Sequence, residues 1–257
     1  MMDRIKEFIR RRMHARHLAR WDAAARDAEK LDLSLLRQMR TQARQMRRRV
    51  DLVSHIADGR LTLPRIGTNA IRKPAQSDWA HRPELWRGPI SPIGMAAVEN
   101  RTRIGNMATL YHDCAISELT LRQVRNTRDG DLAPFGLRMD VFRFDGSFLS
   151  LLIDLPDSAV EGLRRNHILR MEAEVETEKS LEIFARLNIK YGPNVEQVVR
   201  ELPLDGREMV VEFDLAHTKI SEKRLERIWL DLIFEGPEMN EINLRDVTFS
   251  RRPRADF

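Results

Sequence analysis

From about residue 93 to the end of the chain, apolar and polar residues alternate. "ILRMEAEVETE" puts Leu169, Met171, Ala173 and Val175 on one side and Arg170, Glu172, Glu174 and Glu176 on the other. "SLEIFARLNIKY" repeats the pattern with Leu181, Ile183, Ala185, Leu187 and Ile189, and "RIWLDLIFEGP" and "NEINLRDVTFSRR" follow it. A period of two is the mark of a strand with one buried face. "MDVFRFDGSFLSLLIDLP" predicts two strands around a hairpin turn at Asp145-Gly146. Turn signals recur at Asp129-Gly130, Gly192-Pro193, Asp205-Gly206 and Gly236-Pro237. Many short alternating strands with this punctuation predict a mainly β fold over 93–257, an antiparallel jelly-roll-like β-sandwich. Ile183, Leu187, Leu230, Leu232 and Leu244 are expected in its core. Residues 157–166 and 218–227 read as short helices or loops between strands.

The first 57 residues have another period. No proline or glycine occurs before Gly59, and Ala, Arg, Leu, Met and Gln dominate, all good helix formers. In "LLRQMRTQARQMRRRV" the apolar positions Leu36, Met39, Ala43, Met46, Val50 and then Val53 are spaced three, four, three, four, three. That spacing makes a seam for packing against another element. "LDLS" at 31–34 breaks the segment into two helices, with Asp32 or Ser34 as the second N-cap. The first helix carries Ile5, Phe8, Ile9 and Met13 on one face, is interrupted by Arg12 and Arg16, and resumes at Leu18, Trp21 and Ala25. Residues 1–57 are thus expected to form a basic α-helical N-terminal arm. Between the two regions, 58–92 holds Pro64, Pro74, Pro83, Pro89 and Pro92 along with Trp79 and Trp86. Proline opposes regular structure and tryptophan suits packed surface, so this stretch reads as an extended connector pinned on the sandwich.

Composition sharpens the division. The chain is 42% hydrophobic and 32% charged, a globular balance rather than a disordered one. Its net charge of +5 is uneven: residues 1–50 hold 15 Lys and Arg against 6 Asp and Glu, whereas 51–257 hold 29 against 33. The basic end points to an anionic partner, either a membrane surface or an acidic protein; the open alternative is a solvated basic helix with no partner. No apolar run spans a bilayer, and the N-terminus lacks the apolar stretch of a secretory signal. The single cysteine, Cys114, fits a reducing compartment. The expected location is the cytoplasm, with a position peripheral to the membrane as an option.

"DWAHRPELWRGP", "HDCAISELTLRQVRN", "FGLRMDVFRFDGSFLSLLIDLP", "LEIFARLNIKYGPN" and "LIFEGPEMNEINLRDVTFSRRPR" resemble an uncharacterised alphaproteobacterial family of unknown function, over roughly 75–257. That resemblance implies no activity. The C-terminal half also resembles a jelly-roll module of the galactose-binding or carbohydrate-binding type, in which a last strand like Ile242–Phe249 follows a turn.

No P-loop, GxGxxG after a strand, HExxH, GxSxG or paired CxxC occurs. In "HDC", His112 and Cys114 share a strand face, a spacing open to nucleophilic chemistry but better read as a buried small thiol beside a hydrogen-bonded imidazole. Glu172, Glu174, Glu176 and Glu178 stand about 7 Å apart along one strand face and Glu182 on the next strand, too spread for a cation cage. No metal, cofactor or catalytic residue is expected. The outward positions of the strands carry a mixture of rings and planar polar groups: Arg138, Asp140 and Phe142; Phe184, Arg186 and Asn188; Trp229 and Asp231; Asn243 and Arg245. Rings that stack on apolar sugar faces, beside amides and carboxylates that take hydroxyls, are what a glycan site needs. The open alternatives are that these residues face water or lie beneath the Trp79/Trp86 segment. In the arm, Arg37, Arg40, Arg44, Arg47 and Arg48 form a cationic stripe beside the seam, without the aromatics or motifs of sequence-specific nucleic-acid readers. The expectation is a non-enzymatic binding or assembly protein. The alternative is a purely structural interaction module, with an enzyme of unidentified class third. Oligomeric state and ligand identity are not legible.

Overall fold

The structure, a computed structural model, describes residues 2–66, 71–203, 206 and 208–254, with backbone alone for 2–11 and 58–66. The chain divides into two compact units, 1–54 and 55–257. The expected face of Ile5, Phe8 and Ile9, and Asp205 of one turn signal, lie outside what is described.

Unit 1 is helical. α1 (Met2–Asp27) is continuous, and a short 3-10 turn (Ala28–Lys30) leads to α2 (Leu33–Ile66). Asp32 caps α2: its Oδ2 accepts from the Ser34 backbone N–H at 2.9 Å. That bond satisfies one of the donors a helix start leaves without partners. The Ser34 hydroxyl and backbone hold the Asp32 carboxyl below the usual range. The division between units falls inside α2, which runs past Gly59 to Ile66 rather than stopping near 56. One glycine costs a helix only about 1 kcal/mol and is outweighed by good formers around it.

Unit 2 is a sandwich of two wholly antiparallel sheets. In chain order its elements are β1 (Trp79–His81), α3 (Glu84–Arg87), β2 (Gly94–Ala96), β3 (Thr102–Ile104), β4 (Ala108–His112), β5 (Leu119–Arg125), β6 (Phe135–Val141), β7 (Leu149–Asp154), β8 (His167–Thr177), β9 (Glu182–Tyr191), β10 (Asn194–Glu201), β11 (Met209–Asp214), β12 (Leu225–Glu235) and β13 (Asn240–Pro253). Sheet A runs β11-β8-β13-β6-β5-β2, with β1 joined to β13 beyond β6; sheet B runs β10-β9-β12-β7-β4-β3. The mainly β sandwich behind a helical arm is the fold expected from period two.

The inward row of every long strand is aliphatic. Ile183, Leu187, Leu230, Leu232 and Leu244 are all fully buried, with Leu169, Met171, Phe213, Phe234 and Phe249. At about 1.5–3 kcal/mol per fully buried side chain, this inner layer is the main stabilising term.

Three local expectations change. Asp145-Gly146 is no tight hairpin: β6 and β7 belong to different sheets, and 142–148 arch between them. The glycine is required for another reason. A Cβ at Gly146 would stand 2.5 Å from Asp113 Oδ1 and 3.0 Å from Cys114 N. Residues 218–227 form one 3-10 turn (Glu222–Arg224), after which β12 has already begun. The proline-rich stretch is more ordered than an extended connector. Its β1 extends sheet A on β13, and the Trp86 indole is wholly buried, donating from Nε1 to Leu244 O at 2.8 Å. Gln123 binds the same segment, donating to the carbonyls of Leu85 and Gly88 and accepting from Ile90 N–H.

Candidate functional site

The outward positions of sheet B line up across the strands. One row reads Gln197, Asn188, Trp229 and Asp154; the next Val199, Arg186, Asp231, Leu152 and Thr109; the third Glu201, Phe184, Ile233, Ser150 and Tyr111. The middle of this lattice is an open groove of 440 Å³. Trp229, Tyr111 and Phe148 supply its rings, Leu152 and Ile233 its aliphatic floor, and Arg186, Asn188, Gln197, Asp231 and Ser150 its polar atoms.

The polar atoms are set before any ligand arrives. Asp231 is 5% exposed, yet its Oδ2 takes three donors: Arg186 Nε at 2.9 Å, Arg186 Nη2 at 2.8 Å and Asn188 Nδ2 at 3.0 Å. Asn188 Nδ2 also donates to Arg186 O at 3.0 Å, and its Oδ1 accepts from Gln197 Nε2 at 2.9 Å. A buried carboxylate is tolerable when charge-assisted bonds compensate its lost hydration. Arg186 balances Asp231 and keeps 36% of its side chain exposed, so the network is neutral overall but presents donors to the groove. Beside it, Arg227 lies over the Trp229 ring, 4.9 Å from its centroid, while its Nε donates to Asp154 Oδ1 at 2.9 Å. This cation–π contact holds the half-buried indole in place.

A clamp positions the third ring. Asp113 accepts from the Ser147 N–H and hydroxyl, each at 2.6 Å, and from the Phe148 N–H at 3.2 Å. The Ser147 hydroxyl is the largest cause holding the Asp113 carboxyl below its ordinary range. Asp145 Oδ1 accepts from Ala115 N–H at 3.1 Å across the same arch. Phe148 follows directly, 41% exposed at the groove rim. The neighbouring residues of "HDC" are structural. His112 is buried, its Nε2 pairing with Val98 O at 2.8 Å and its Nδ1 accepting from Cys114 N–H at 3.2 Å. Burial pushes the Cys114 thiol up, away from the thiolate a nucleophile needs.

Of the residues singled out in the sequence, Arg186, Asn188, Trp229 and Asp231 come together here, with Phe184 one row beyond. Arg138, Asp140 and Arg245 do not join them, because β6 and β13 belong to sheet A. Arg138 Nε donates to Asp140 Oδ1 at 2.8 Å and pairs with Glu241, at 2.8 Å, on the other face of the molecule. Arg245 is the extra residue where the β13–β8 register shifts between Leu244 and Asp246. It is 8% exposed and pairs with buried Asp131 at 2.6 Å, so it serves the fold. Strand alternation cannot tell which sheet an outward face belongs to. Nor does the Trp79/Trp86 stretch cover the groove: none of the residues lining it comes from that stretch. Tyr111, Phe148, Ser150, Leu152, Gln197 and Ile233 were missed. "FLSLLID" carries aliphatic residues on both faces, which hides its outward row, and Tyr111 is the lone Phe, Tyr or Trp of its short strand, with no neighbouring pattern to mark which sheet it faces from. Glu172 and Glu176 pair with Arg170 and Arg128, and no group of three potential metal ligands occurs among the described residues.

In the arm, Arg37, Arg40, Arg44, Arg47 and Arg48 are all exposed. The later half of their seam is open too: Met46, Val50 and Val53 are 45%, 57% and 66% exposed, while Leu36, Met39 and Ala43 are partly buried. No helix among the described residues is long and apolar enough to cross a membrane.

Two outer faces on one sandwich define the class of protein, a jelly-roll-like β-sandwich with a helical arm. The chain belongs to the Family of unknown function (DUF6478), whose model matches residues 1–257. No curated protein matches it in sequence. Solved structures similar to it include the family 11 carbohydrate-binding module from Clostridium thermocellum in complex with a β-1,3-1,4-mixed-linked tetrasaccharide, at 11% identity and a TM-score of 0.39 over 65% of this chain and 100% of that one. The CBM22-1 xylan-binding domain from Paenibacillus barcinonensis is 6% identical, with a TM-score of 0.36 over 72% of this chain and 100% of that one. The enzymatically active domain of a bacteriophage CBA120 tailspike protein is 5% identical, with a TM-score of 0.41; the match covers 56% of this chain and 19% of the tailspike chain.

Proposed function

We propose that the protein is a non-enzymatic binding protein whose sandwich holds a glycan on the outer face of sheet B, while its basic arm contacts an anionic partner. The observation that carries the first half is the 440 Å³ groove in which Trp229, Tyr111 and Phe148 surround the Asp231–Arg186–Asn188–Gln197 network. The rings suit the apolar faces of pyranoses and the oriented amide and guanidinium groups suit their hydroxyls. Because the central Arg–Asp pair is neutral, the site fits an uncharged sugar better than a sulfated or uronic one. The same pair argues against general acid–base work. A glycosidase places two carboxylates across the scissile bond, whereas Asp231 is the one carboxylate lining this groove among the described residues and is already bonded to three donors.

The test is calorimetric titration of the full chain with ligands chosen from a glycan array. Binding should occur with the wild-type protein and fall below detection in Trp229→Ala while circular dichroism is unchanged. Absence of binding to any glycan would reject the sugar reading and leave the alternative, an interaction module without a small ligand.

A further inference from the structure

We infer that the protein assembles head to tail, the basic arm of one copy docking on an apolar, acid-rimmed end of the sandwich of a second copy. The inference rests on the reading that the arm meets an anionic partner, and it says which one. Four connections, 113–118, 142–148, 178–181 and 236–239, meet at one end of unit 2. Strand register puts them there: Leu119 pairs with Val141, Val141 with Asn240, Leu149 with Phe234, and Glu182 with Glu235. Backbone bonds tie the connections to one another. Met239 N–H donates to Phe142 O at 2.8 Å, and Phe142 N–H donates to Glu118 O at 3.0 Å. On these tied loops Ile116, Phe142 and Met239 are 68%, 50% and 56% exposed. Large apolar side chains left in water at one place mark an interaction surface.

The charge around that surface selects its occupant. Segments 113–118, 142–148, 178–182 and 235–239 hold seven Asp and Glu against two Lys and Arg. Glu118, Glu178, Glu182, Glu235 and Glu238 are exposed, and none forms an ion pair among the described residues. Glu182 stands directly opposite Glu235 in the ladder. Like charges so placed destabilise a sheet, and a docked cation relieves them. Such a surface repels anionic lipid and fits a basic amphipathic helix. The chain carries one. Beyond Met46, the last residue of α2 to line the groove between the two helices, Val50 and Val53 are 57% and 66% exposed. At about 100° per residue, Arg47 and Arg49 flank Val50 on opposite sides. Arg44 and Arg48 form no ion pair among the described residues, and Arg47 makes one exposed contact, with Asp51 at 3.6 Å. Chain length favours a second copy as the donor of this helix. His55 Nε2 lies 3.0 Å from Gln123 Oε1 and its ring centroid 5.2 Å from that of Phe135, at the opposite end of β6 from Phe142. Val50 and Val53 precede His55 by about 8 and 3 Å of helix, whereas the length of β6 separates Phe135 from Phe142 by about 23 Å. Each copy thus offers one arm and one acidic end, a heterologous contact that builds a ring or an open chain.

Sedimentation velocity of the full-length protein reads the contact. At low salt the wild type should associate as concentration rises, and high salt should dissociate it. Phe142→Ser should weaken association about tenfold. Arm reversal (Arg44→Glu, Arg47→Glu, Arg48→Glu) and patch reversal (Glu118→Lys, Glu235→Lys, Glu238→Lys) should each leave a monomer, with circular dichroism confirming that both fold. Mixed together, the two reversed proteins should associate again, because each arm then meets an end of opposite charge. Association that persists after patch reversal, or that fails to return in the mixture, would overturn the inference. So would a wild type that stays monomeric at low salt, and labelled polyglutamate then separates the two readings. Binding of polyglutamate by the wild type, lost on arm reversal, would leave the anionic-partner reading standing without self-assembly. Binding by neither protein would overturn both.

Discussion

The two outer faces of the sandwich use many of the same residue types to different ends. On sheet A, arginines and carboxylates neutralise one another in pairs: Arg170 with Glu172 at 2.8 Å, Arg138 with Asp140 and Glu241, Arg252 with Glu212 at 3.3 Å, and Arg82 with Asp246 at 2.8 Å. On sheet B one Arg–Asp pair stands within a frame of Trp229, Tyr111 and Phe148, above a trough deep enough to hold a molecule. An ion pair is therefore not a site in itself. What distinguishes sheet B is that its charge is oriented, neutralised and surrounded by surface on which an apolar ring can rest.

The comparison can be broken by removing matched carboxylates from the two faces. Asp246 should give the largest effect. Arg82 has 3% of its side chain exposed and donates from Nε and Nη2 to the Asp246 carboxylate. Asp246→Ala takes the two-point carboxylate partner from a buried cation and should lower unfolding free energy by about 3–5 kcal/mol, read by urea denaturation, without changing glycan affinity in the folded protein. Asp231→Ala should cost less, about 1–2 kcal/mol, since Arg186 is already partly in water and can turn outward. It should nevertheless abolish glycan binding by releasing Arg186 and Asn188. If Asp246→Ala removed binding and Asp231→Ala did not, the assignment of faces would be reversed.

A pH effect sharpens the edge of sheet A. Burial, helped by Arg87, lowers the His81 pKa to about 4. The folded state therefore holds neutral His81 while the unfolded chain takes up a proton below about 6.5. Its contribution is full above pH 6.5 and is lost as pH falls toward 4, amounting to roughly 1 kcal/mol once screening of a partly exposed ring is allowed for. His81→Gln should flatten that part of the stability–pH curve, and an NMR titration should place the ring near 4; a value near 6.5 would refute the cause. The smallest effect belongs to the more exposed pair on sheet A. Arg138→Ala should change stability by about 0.2–1 kcal/mol, and high salt should shrink the difference.

Legibility differs by element. The alternation in "ILRMEAEVETE" and "SLEIFARLNIKY" identified β8, β9 and their inward rows, because burying one face of a strand forces period two. The N-cap at Asp32 was readable because its role is local. Asp145-Gly146 was misread, since a glycine demanded by the approach of Asp113 looks in sequence like one demanded by a turn. Arg138 and Arg245 were placed with Trp229 for a related reason: outwardness is a property of one strand, and membership of a sheet is not.

The sequence by itself determined the mainly β sandwich, its aliphatic interior, the helical arm and that arm's seam and cationic stripe. Each is written in neighbouring residues through period, propensity and charge. Tertiary structure alone decided that β9 and β12 lie side by side with β7 and β4 beyond them. It also decided that Trp86 closes the core from a proline-rich stretch, and that Asp113 sets Phe148 at the groove rim. Those facts depend on contacts between residues as far apart as Trp86 and Leu244, and no local pattern encodes which strands will meet.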